Sequence, residues 1–227
     1  MATQSPLQRL PLELRHMILF ALSDVPTLKS TVLTCSAFYS AFSIAQVSIT
    51  THVLTNQVGM DVLPEAIVTL ESQTAPWTKQ SVHAFCQKHL RSRSTPPQDQ
   101  SWTLSKALPV GILHRCVQTL ADLFVSQALS QPSGPGKLDH VPSYPLSHME
   151  LARIQRAFYR FEMFCNLFGN GVDKDYSGYR DVRMFLRRFS SWENEQLACV
   201  HDFLMRLISP GRQITEFLVK VLNTISR

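Results

Sequence analysis

Residues 7–42 read LQRLPLELRHMILFALSDVPTLKSTVLTCSAFYSAF, and their apolar spacing decides the fold of the N-terminal part of the chain. Apolar side chains first recur at steps of three and four on one side of a short helix: Leu14, Ile18, Leu19 and Leu22. Pro11 fits the first turn of this helix, and residues 23–26 interrupt the pattern. A second helix then follows, and Ser36 is expected to cap a third. The stretch therefore predicts three short helices.

Three short amphipathic helices, about forty residues in all, bury too little apolar surface to be stable alone. Such a unit needs a partner or a neighbouring domain. Laying an apolar helix face into a groove of another protein is one common mode of recognition. The alternative left open by the residues is that this stretch is only the N-terminal part of a larger helical core.

The same stretch resembles an F-box. The resemblance rests on Leu10-Pro11-x-Glu13-Leu14 at its start and on Cys35-Ser-x-Phe38-Tyr-x-x-Phe42 at its end, which are similar to those of fungal F-box proteins. Phe38 stands where many members carry Trp, and Pro26 is expected in the first interhelical turn. Members of this family bind a Skp-type adaptor through the motif. The adaptor links them to a cullin-based ubiquitin ligase, which is thereby brought to the protein that the rest of the chain binds.

The resemblance implies ten docking and module-core positions. They are Leu10, Pro11, Leu14, Ile18, Leu22, Leu28, Val32, Cys35, Phe38 and Phe42. Spacing alone leaves open which of these side chains face the adaptor and which face the interior of the module.

The composition is that of a globular protein, with 44% apolar and 17% charged residues among 227. A net charge of +5 permits contact with nucleic acid but does not argue for it. The five cysteines contain no Cys-x-x-Cys pair, so reduced thiols are expected. No signal peptide is recognisable, and no run reaches about 18 apolar residues, so we expect no membrane association and a location in cytoplasm and/or nucleus.

The remaining chain is also predicted to be helical. Residues 44–58 fit either a strand or a helix, and the resemblance favours the helix. Helical spacing continues over residues 63–72, 79–90, 113–128, 151–168, 182–189, 193–207 and 214–225. Capping boxes are expected at Ser147-x-x-Glu150 and Ser190-x-x-Glu193. The predicted fold is all-α: an F-box-like module of three helices at 7–43, then a domain of about six to eight helices at 44–227, with polar loops near 91–100, 131–146 and 169–179.

Two patterns resemble parts of metal-binding motifs, but neither contains a full set of ligands. The stretch 173–178, DKDYSG, matches the opening of an EF-hand loop, but Met184 occupies the position of the bidentate carboxylate. His83, Cys86 and His89 could share a helix, yet the third side chain points away from the first, and no fourth ligand follows. The sequence therefore predicts neither a metal nor any other cofactor.

No catalytic or nucleic-acid motif accompanies the remaining polar residues. There is no nucleophile elbow, phosphate loop or His-Glu-x-x-His motif, so no enzyme activity and no catalytic residue are predicted. The arginines at 180, 183, 187 and 188 are expected to be solvated and partly paired with Asp181, Glu193 and Glu195, because no known nucleic-acid motif surrounds them.

The sequence thus predicts a substrate-receptor subunit of a Skp–cullin–F-box ubiquitin ligase. The N-terminal motif would bind the Skp adaptor and, through it, the cullin, while the C-terminal helices would bind a protein target whose identity the sequence does not reveal. The alternative is a helical interaction scaffold independent of the ligase, in which the F-box-like helices are packed into its core.

Overall fold

The computed structural model describes residues 6–74, 78–91, 101–130, 146–169 and 179–208. Within these ranges a 3-10 turn at Pro6–Arg9 precedes ten α-helices, and there is no strand. The helices are α1 (Leu12–Phe20), α2 (Val25–Thr34), α3 (Ser36–Ile44), α4 (Gln46–Val58), α5 (Leu63–Glu71), α6 (Lys79–His89), α7 (Leu104–Ser130), α8 (His148–Phe168), α9 (Tyr179–Leu186) and α10 (Ser191–Ile208). The predicted all-α fold and its helix number are confirmed. Most of the three predicted loops and the predicted helix at 214–225 lie outside the described residues.

The chain divides into two compact units. The first unit comprises Met1–Pro64 and Thr95–His114, and the second comprises Glu65–Ser94 and Arg115–Arg227. The predicted module at 7–43 belongs to the first unit, which also includes α4 and the beginning of α7. That residues 7–43 form an F-box-like module of their own stays a prediction.

A side-chain cap is present at the start of α2 and absent at the start of α3. The carboxylate of Asp24 accepts hydrogen bonds of 2.8 Å from both the backbone N–H and the hydroxyl of Thr27, which fixes the start of α2. Pro26 lies in the first turn of α2 rather than in the preceding turn, because a missing N–H there leaves no hydrogen bond unmade. Helix α3 begins at Ser36 itself, with Cys35 in the cap position, one residue earlier than predicted.

Residues 44–58 form a helix, α4, apart from their first two residues. Ile49 and Val53 are four residues apart and fully buried, whereas Val47, which would share their face in a strand, is exposed. The alternation that suggested a strand is therefore coincidental, and the helical spacing decides burial. Gly59 ends α4 with φ +80°, a backbone conformation that glycine adopts without strain.

Helices α1 to α4 pack against one another around the core of the first unit. Its fully buried apolar side chains include Leu19, Val25, Leu28, Ala41, Ile49, Val53, Leu54 and Ala107. The Gln57 side chain links three helices, because its Oε1 accepts from the Val25 backbone N–H at 3.0 Å and its Nε2 donates to the Gly111 carbonyl at 2.8 Å. Gly111 permits this approach, since a Cβ there would lie 2.7 Å from the Gln57 oxygen.

Replacing Gly111 by alanine is expected to lower the free energy of unfolding by about 1 kcal/mol. The new methyl displaces the Gln57 side chain and its two hydrogen bonds, each contributing about 1 kcal/mol, and this loss exceeds the gain of about 1 kcal/mol in helix propensity. In a Gln57→Ala background the same substitution should cost less, because only the tight approach of the new methyl to Val25 Cβ, at 3.3 Å, then opposes the propensity gain. Urea unfolding of the four chains measures this double-mutant cycle. A stabilising effect in both backgrounds would contradict the proposed link.

Burial of His114 in α7 makes the first unit sensitive to acid. Its side chain is 2% exposed, and burial lowers its pKa to about 4. The unfolded chain, in which the pKa of His114 is near 6.5, therefore binds the proton more tightly than the folded chain. The contribution of neutral His114 to the free energy of unfolding is present above about pH 6.5 and is lost as the pH falls towards 4. We expect a loss of about 2 kcal/mol between pH 7 and pH 5. In urea unfolding, His114→Gln should flatten this pH dependence, whereas the exposed control His83→Gln should not; equal slopes would contradict the assignment.

Helix α8 supplies much of the core of the second unit. The sequence predicted a single inward face, formed by Leu151, Ile154, Phe158, Phe161, Cys165 and Phe168. Of these only Phe158 is buried, whereas Tyr159, Met163 and Leu167 are at most 1% exposed. The predicted stripe is therefore only part of the buried surface, because α8 is contacted by other helices on several sides, and a helix covered in this way is not buried along one stripe.

Two aromatic and aliphatic clusters form around α8. One contains Val82, Phe85, Cys86, Leu90, Met163, Leu167, Phe185 and Phe189. The other joins α7, α8 and α10 through Phe124, Phe158 and Phe203, whose rings contact edge to face with centroids 5.2–6.1 Å apart. Both predicted capping boxes are present, at the start of α8 and of α10.

A buried arginine crosslinks the second unit. The Arg160 side chain of α8 is 6% exposed, and its Nη2 lies 3.1 Å from Glu65 Oε1 and 2.9 Å from Glu193 Oε1. Its guanidinium carbon also lies 5.2 Å from the centroid of the Phe189 ring. One positive charge thus holds carboxylates from α5 and α10 against α8.

One helix among the described residues, Leu104–Ala128 within α7, is long and apolar enough to cross a membrane by length and composition alone. Its buried positions Val110, His114 and Val117 recur at steps of three and four. The exposed positions are mostly polar: Ser105, Lys106, Arg115, Gln118, Asp122 and Ser126. This distribution of buried apolar and exposed polar positions is that of an amphipathic helix. The expected absence of a membrane partner stays a prediction.

Candidate docking surface on the N-terminal helices

Two polar side chains fix α1 on α3. The Arg15 guanidinium donates to the Ala37 carbonyl at 2.7 Å and to the Leu10 carbonyl at 3.1 Å. The His16 ring donates from Nε2 to the Ala41 carbonyl at 2.8 Å. At the end of α3 the Ala45 N–H donates to the carbonyl of Phe42 rather than to that of Ala41. The Ala41 carbonyl can therefore accept the hydrogen bond from His16. These polar contacts fix the orientation of α1 on α3. As a result, some apolar side chains of α1 face the core of the first unit and others face solvent.

The ten positions implied by the F-box resemblance fall into two groups. Leu28, Val32, Phe38 and Phe42 are at most 5% exposed and belong to the core of the first unit. Pro11 and Leu14 are exposed, and the remaining four, Leu10, Ile18, Leu22 and Cys35, are half-buried. The structure therefore brings the α2 and α3 positions together inside the unit and leaves most positions near α1 in contact with solvent.

Helix α1 carries an apolar outer face as well as an inner one. Leu19 is fully buried, whereas Leu14 and Met17 are 43% and 65% exposed. Leu14 and Met17 are three residues apart and therefore neighbours on one side of the helix. Pro11 continues that side at the start of the helix, and Ile18 borders it. We call this surface, formed by Pro11, Leu14, Met17 and Ile18, the α1 outer face.

Further apolar side chains are exposed elsewhere in the first unit. Leu33 at the end of α2 is 68% exposed and Tyr39 in α3 is 59% exposed, and the others are Leu7, Ile44, Val47 and Met60. Single exposed apolar residues are common on proteins, so these positions, which lie on different helices and loops, do not by themselves define a binding surface. Neither Met17, Leu33 nor Tyr39 was among the predicted site residues. Met17 was recognisable in the sequence, because it lies three positions after Leu14.

The chemistry available to the α1 outer face is burial of apolar area. Its four members carry no titratable group and no metal-ligating atom. Full burial of one such side chain contributes about 1.5–3 kcal/mol, so a partner groove covering two or three could give a specific complex. Across the described residues, no group of three or more His, Cys, Asp or Glu side chains could hold a metal ion.

The three residues considered as zinc ligands lie in three different environments. Cys86 is buried in the apolar core, which raises its pKa to about 11 and keeps the thiol protonated. His89 Nδ1 lies 3.1 Å from Glu71 Oε2, while His83 is exposed. In the EF-hand-like stretch, residues 173–178 lie outside the described part of the chain.

The arginine cluster of α9 is only partly as predicted. Arg183 and Arg187 are exposed, and the Arg180 side chain lies outside the described residues. Glu193, which was expected to offset this cluster, contacts Arg160 of α8, a buried cation that needs a compensating charge.

No protein-family model, no curated protein and no solved structure matches this chain.

Proposed function

We propose that the chain is an F-box substrate receptor of a Skp–cullin–F-box ubiquitin ligase. Its N-terminal helices bind a Skp-type adaptor, and the helices that follow bind a protein target. The observation that carries the proposal is the α1 outer face: Pro11, Leu14 and Ile18 are adaptor-docking or module-core positions by the resemblance, and they are exposed or half-buried. The α2 and α3 positions of the motif are buried and hold this face in place.

Such a receptor needs no catalytic residue of its own. It acts by holding a target near the ligase, which raises the effective concentration of the target by orders of magnitude. The adaptor links the receptor to the cullin, and the complex works in the cytoplasm, the nucleus or both. No metal or cofactor takes part in this role.

Co-purification with a fungal Skp-type adaptor tests the proposal. The two chains would be expressed together, separated by size-exclusion chromatography, and the mass of the peak determined. A complex of one receptor with one adaptor is the expected result. A receptor monomer that elutes beside free adaptor would contradict the proposal.

A ligase-independent helical scaffold is the second candidate, and one observation favours it. Gln57 bonds α4 to the start of α2 and to α7, so the N-terminal helices are built into a larger core rather than packed only among themselves. In such a scaffold the α1 outer face would bind a protein unrelated to the ubiquitin ligase.

Joint replacement of Leu10 and Pro11 by alanine distinguishes the two candidates. If these residues form a docking surface, adaptor binding is lost and the melting temperature is unchanged, because Pro11 is exposed and Leu10 is only half-buried. If they belong to a packed core, the same change lowers the melting temperature of the whole chain by several degrees. Calorimetry and adaptor pull-down on the same preparation measure both outcomes. A lower melting temperature with adaptor binding retained would favour the scaffold.

A further inference from the structure

An apolar groove of about 200 Å³ lies in the second unit between α7, α8 and α10. Apolar side chains from all three helices line it: Phe124, Ile154, Ala157 and Val200. Ala157 and Val200 are buried, whereas Phe124 and Ile154 are half-buried. Trp192 also lines the groove, with 71% of its surface exposed. The groove therefore presents aliphatic and aromatic surface to solvent.

Packing around the groove fixes its shape. The Phe124 ring contacts the rings of Phe158 and Phe203 edge to face, with centroids 6.1 and 5.2 Å apart, which holds Phe124 in the lining. On α8 the lining includes Ala157, whose single methyl group leaves space that a larger side chain would fill. A site whose walls are already in place loses little conformational entropy when a ligand binds.

Size and charge limit what this groove can hold. A specific protein–protein interface takes about 20–30 residues from each partner, whereas nine residues line the groove. An apolar cavity of about 150 Å³ accommodates benzene, so a volume of about 200 Å³ suits a molecule of one or two rings. The two charged lining residues, Arg153 and Glu195, have opposite signs and together favour neither an anion nor a cation. An uncharged small molecule therefore fits the groove better than a protein or an ion.

We propose that this groove binds an uncharged small molecule with one or two aromatic rings. The rings would contact Phe124 and Trp192, because aromatic pairs are stabilised by edge-to-face and offset stacking beyond the burial of area. Gln196 in the lining supplies an amide that can bond to one polar substituent of the ligand. The inference is independent of adaptor binding, and it gives the second unit a small-molecule site.

Calorimetric titration of the full chain with benzyl alcohol tests the proposal. Burial of about 200 Å² of apolar surface corresponds to a Kd at or below about 1 mM. Benzoate should bind at least about tenfold more weakly, because its charge must be desolvated. Benzyl alcohol should bind at least as tightly as cyclohexylmethanol, although the saturated ring is more hydrophobic, because Phe124 and Trp192 favour an aromatic ring. No binding of benzyl alcohol, or tighter binding of either other probe, would overturn the proposal.

Two further measurements show whether binding occurs in this groove. Ala157→Leu adds three carbon atoms to the lining and should weaken binding of benzyl alcohol at least about tenfold, whereas Ala198→Leu on the exposed side of α10 should not. In the unaltered chain, saturating benzyl alcohol should slow alkylation of Cys199 by iodoacetamide several-fold and leave that of Cys35 in the first unit unchanged. The second measurement needs no variant, so it is decisive even if Ala157→Leu does not fold. An unchanged alkylation rate at Cys199 would overturn the proposal.

Discussion

Replacement of Arg160 by alanine is expected to lower the free energy of unfolding by about 3–5 kcal/mol. The guanidinium lies between Glu65 and Glu193, whose side chains are only 14% and 24% exposed. Without it, two carboxylates remain close together and poorly solvated, and their repulsion adds to the lost ion pairs. The Phe189 ring also loses the cation above its face.

Urea unfolding followed by circular dichroism measures this loss. Arg115→Ala is the matched control, because Arg115 is an exposed arginine within α7 and its truncation should change stability by no more than about 0.5 kcal/mol. Adding Glu65→Gln and Glu193→Gln to Arg160→Ala should recover part of the loss, since the uncompensated charges are then removed. A loss below about 1 kcal/mol in Arg160→Ala would mean that the pairs contribute little.

Replacing Leu14 and Met17 together by glutamate should weaken adaptor binding at least about a hundredfold and leave the fold intact. This prediction rests on the proposed function. Two apolar contacts are lost and two charges must be desolvated at the interface, which together exceed about 3 kcal/mol. Both side chains already contact solvent, so the free chain should tolerate the change. Calorimetric titration with the adaptor gives the affinity, and thermal melting gives the stability.

Two variants control for non-specific effects. Met60→Glu changes a methionine that is 56% exposed and lies outside the α1 outer face, so adaptor affinity should be unchanged. Leu28→Ala removes a fully buried side chain and should cost about 2–5 kcal/mol of stability. If Met60→Glu weakens binding as much as the double variant, the α1 outer face is not the docking surface.

Local signals in the sequence predicted the helices well. The two Ser-x-x-Glu capping boxes and the helical spacing of most segments depend on residues that are neighbours in the chain, and these were found where expected. The ambiguous stretch of α4 shows the limit of such signals. Val47 and Ile49 alternate as in a strand, and only packing against α1, α2 and α3 decides that Ile49 is inside.

Burial and pairing that depend on distant parts of the chain were not predictable. The buried side chains of α8 are not confined to the predicted stripe, because helices contact α8 on several sides. Nothing local in the sequence identifies the partners of Arg160, because Glu65 and Glu193 are far away from it in the chain. For the candidate site, the sequence supplied Pro11 and Leu14 through a resemblance. Which of its ten positions are exposed follows only from the packing of α1 on α3.

Glu193 takes part in two interactions of the second unit that would be lost together. One of its carboxylate oxygens accepts from the Ser190 backbone N–H at 2.8 Å and so starts α10, while the other contacts Arg160 of α8. Fraying of the first turn of α10 therefore withdraws one of the two carboxylates that contact Arg160 in the middle of α8. Amide hydrogens at the start of α10 and around residue 160 should consequently exchange through one common opening event, as a single cooperative folding unit.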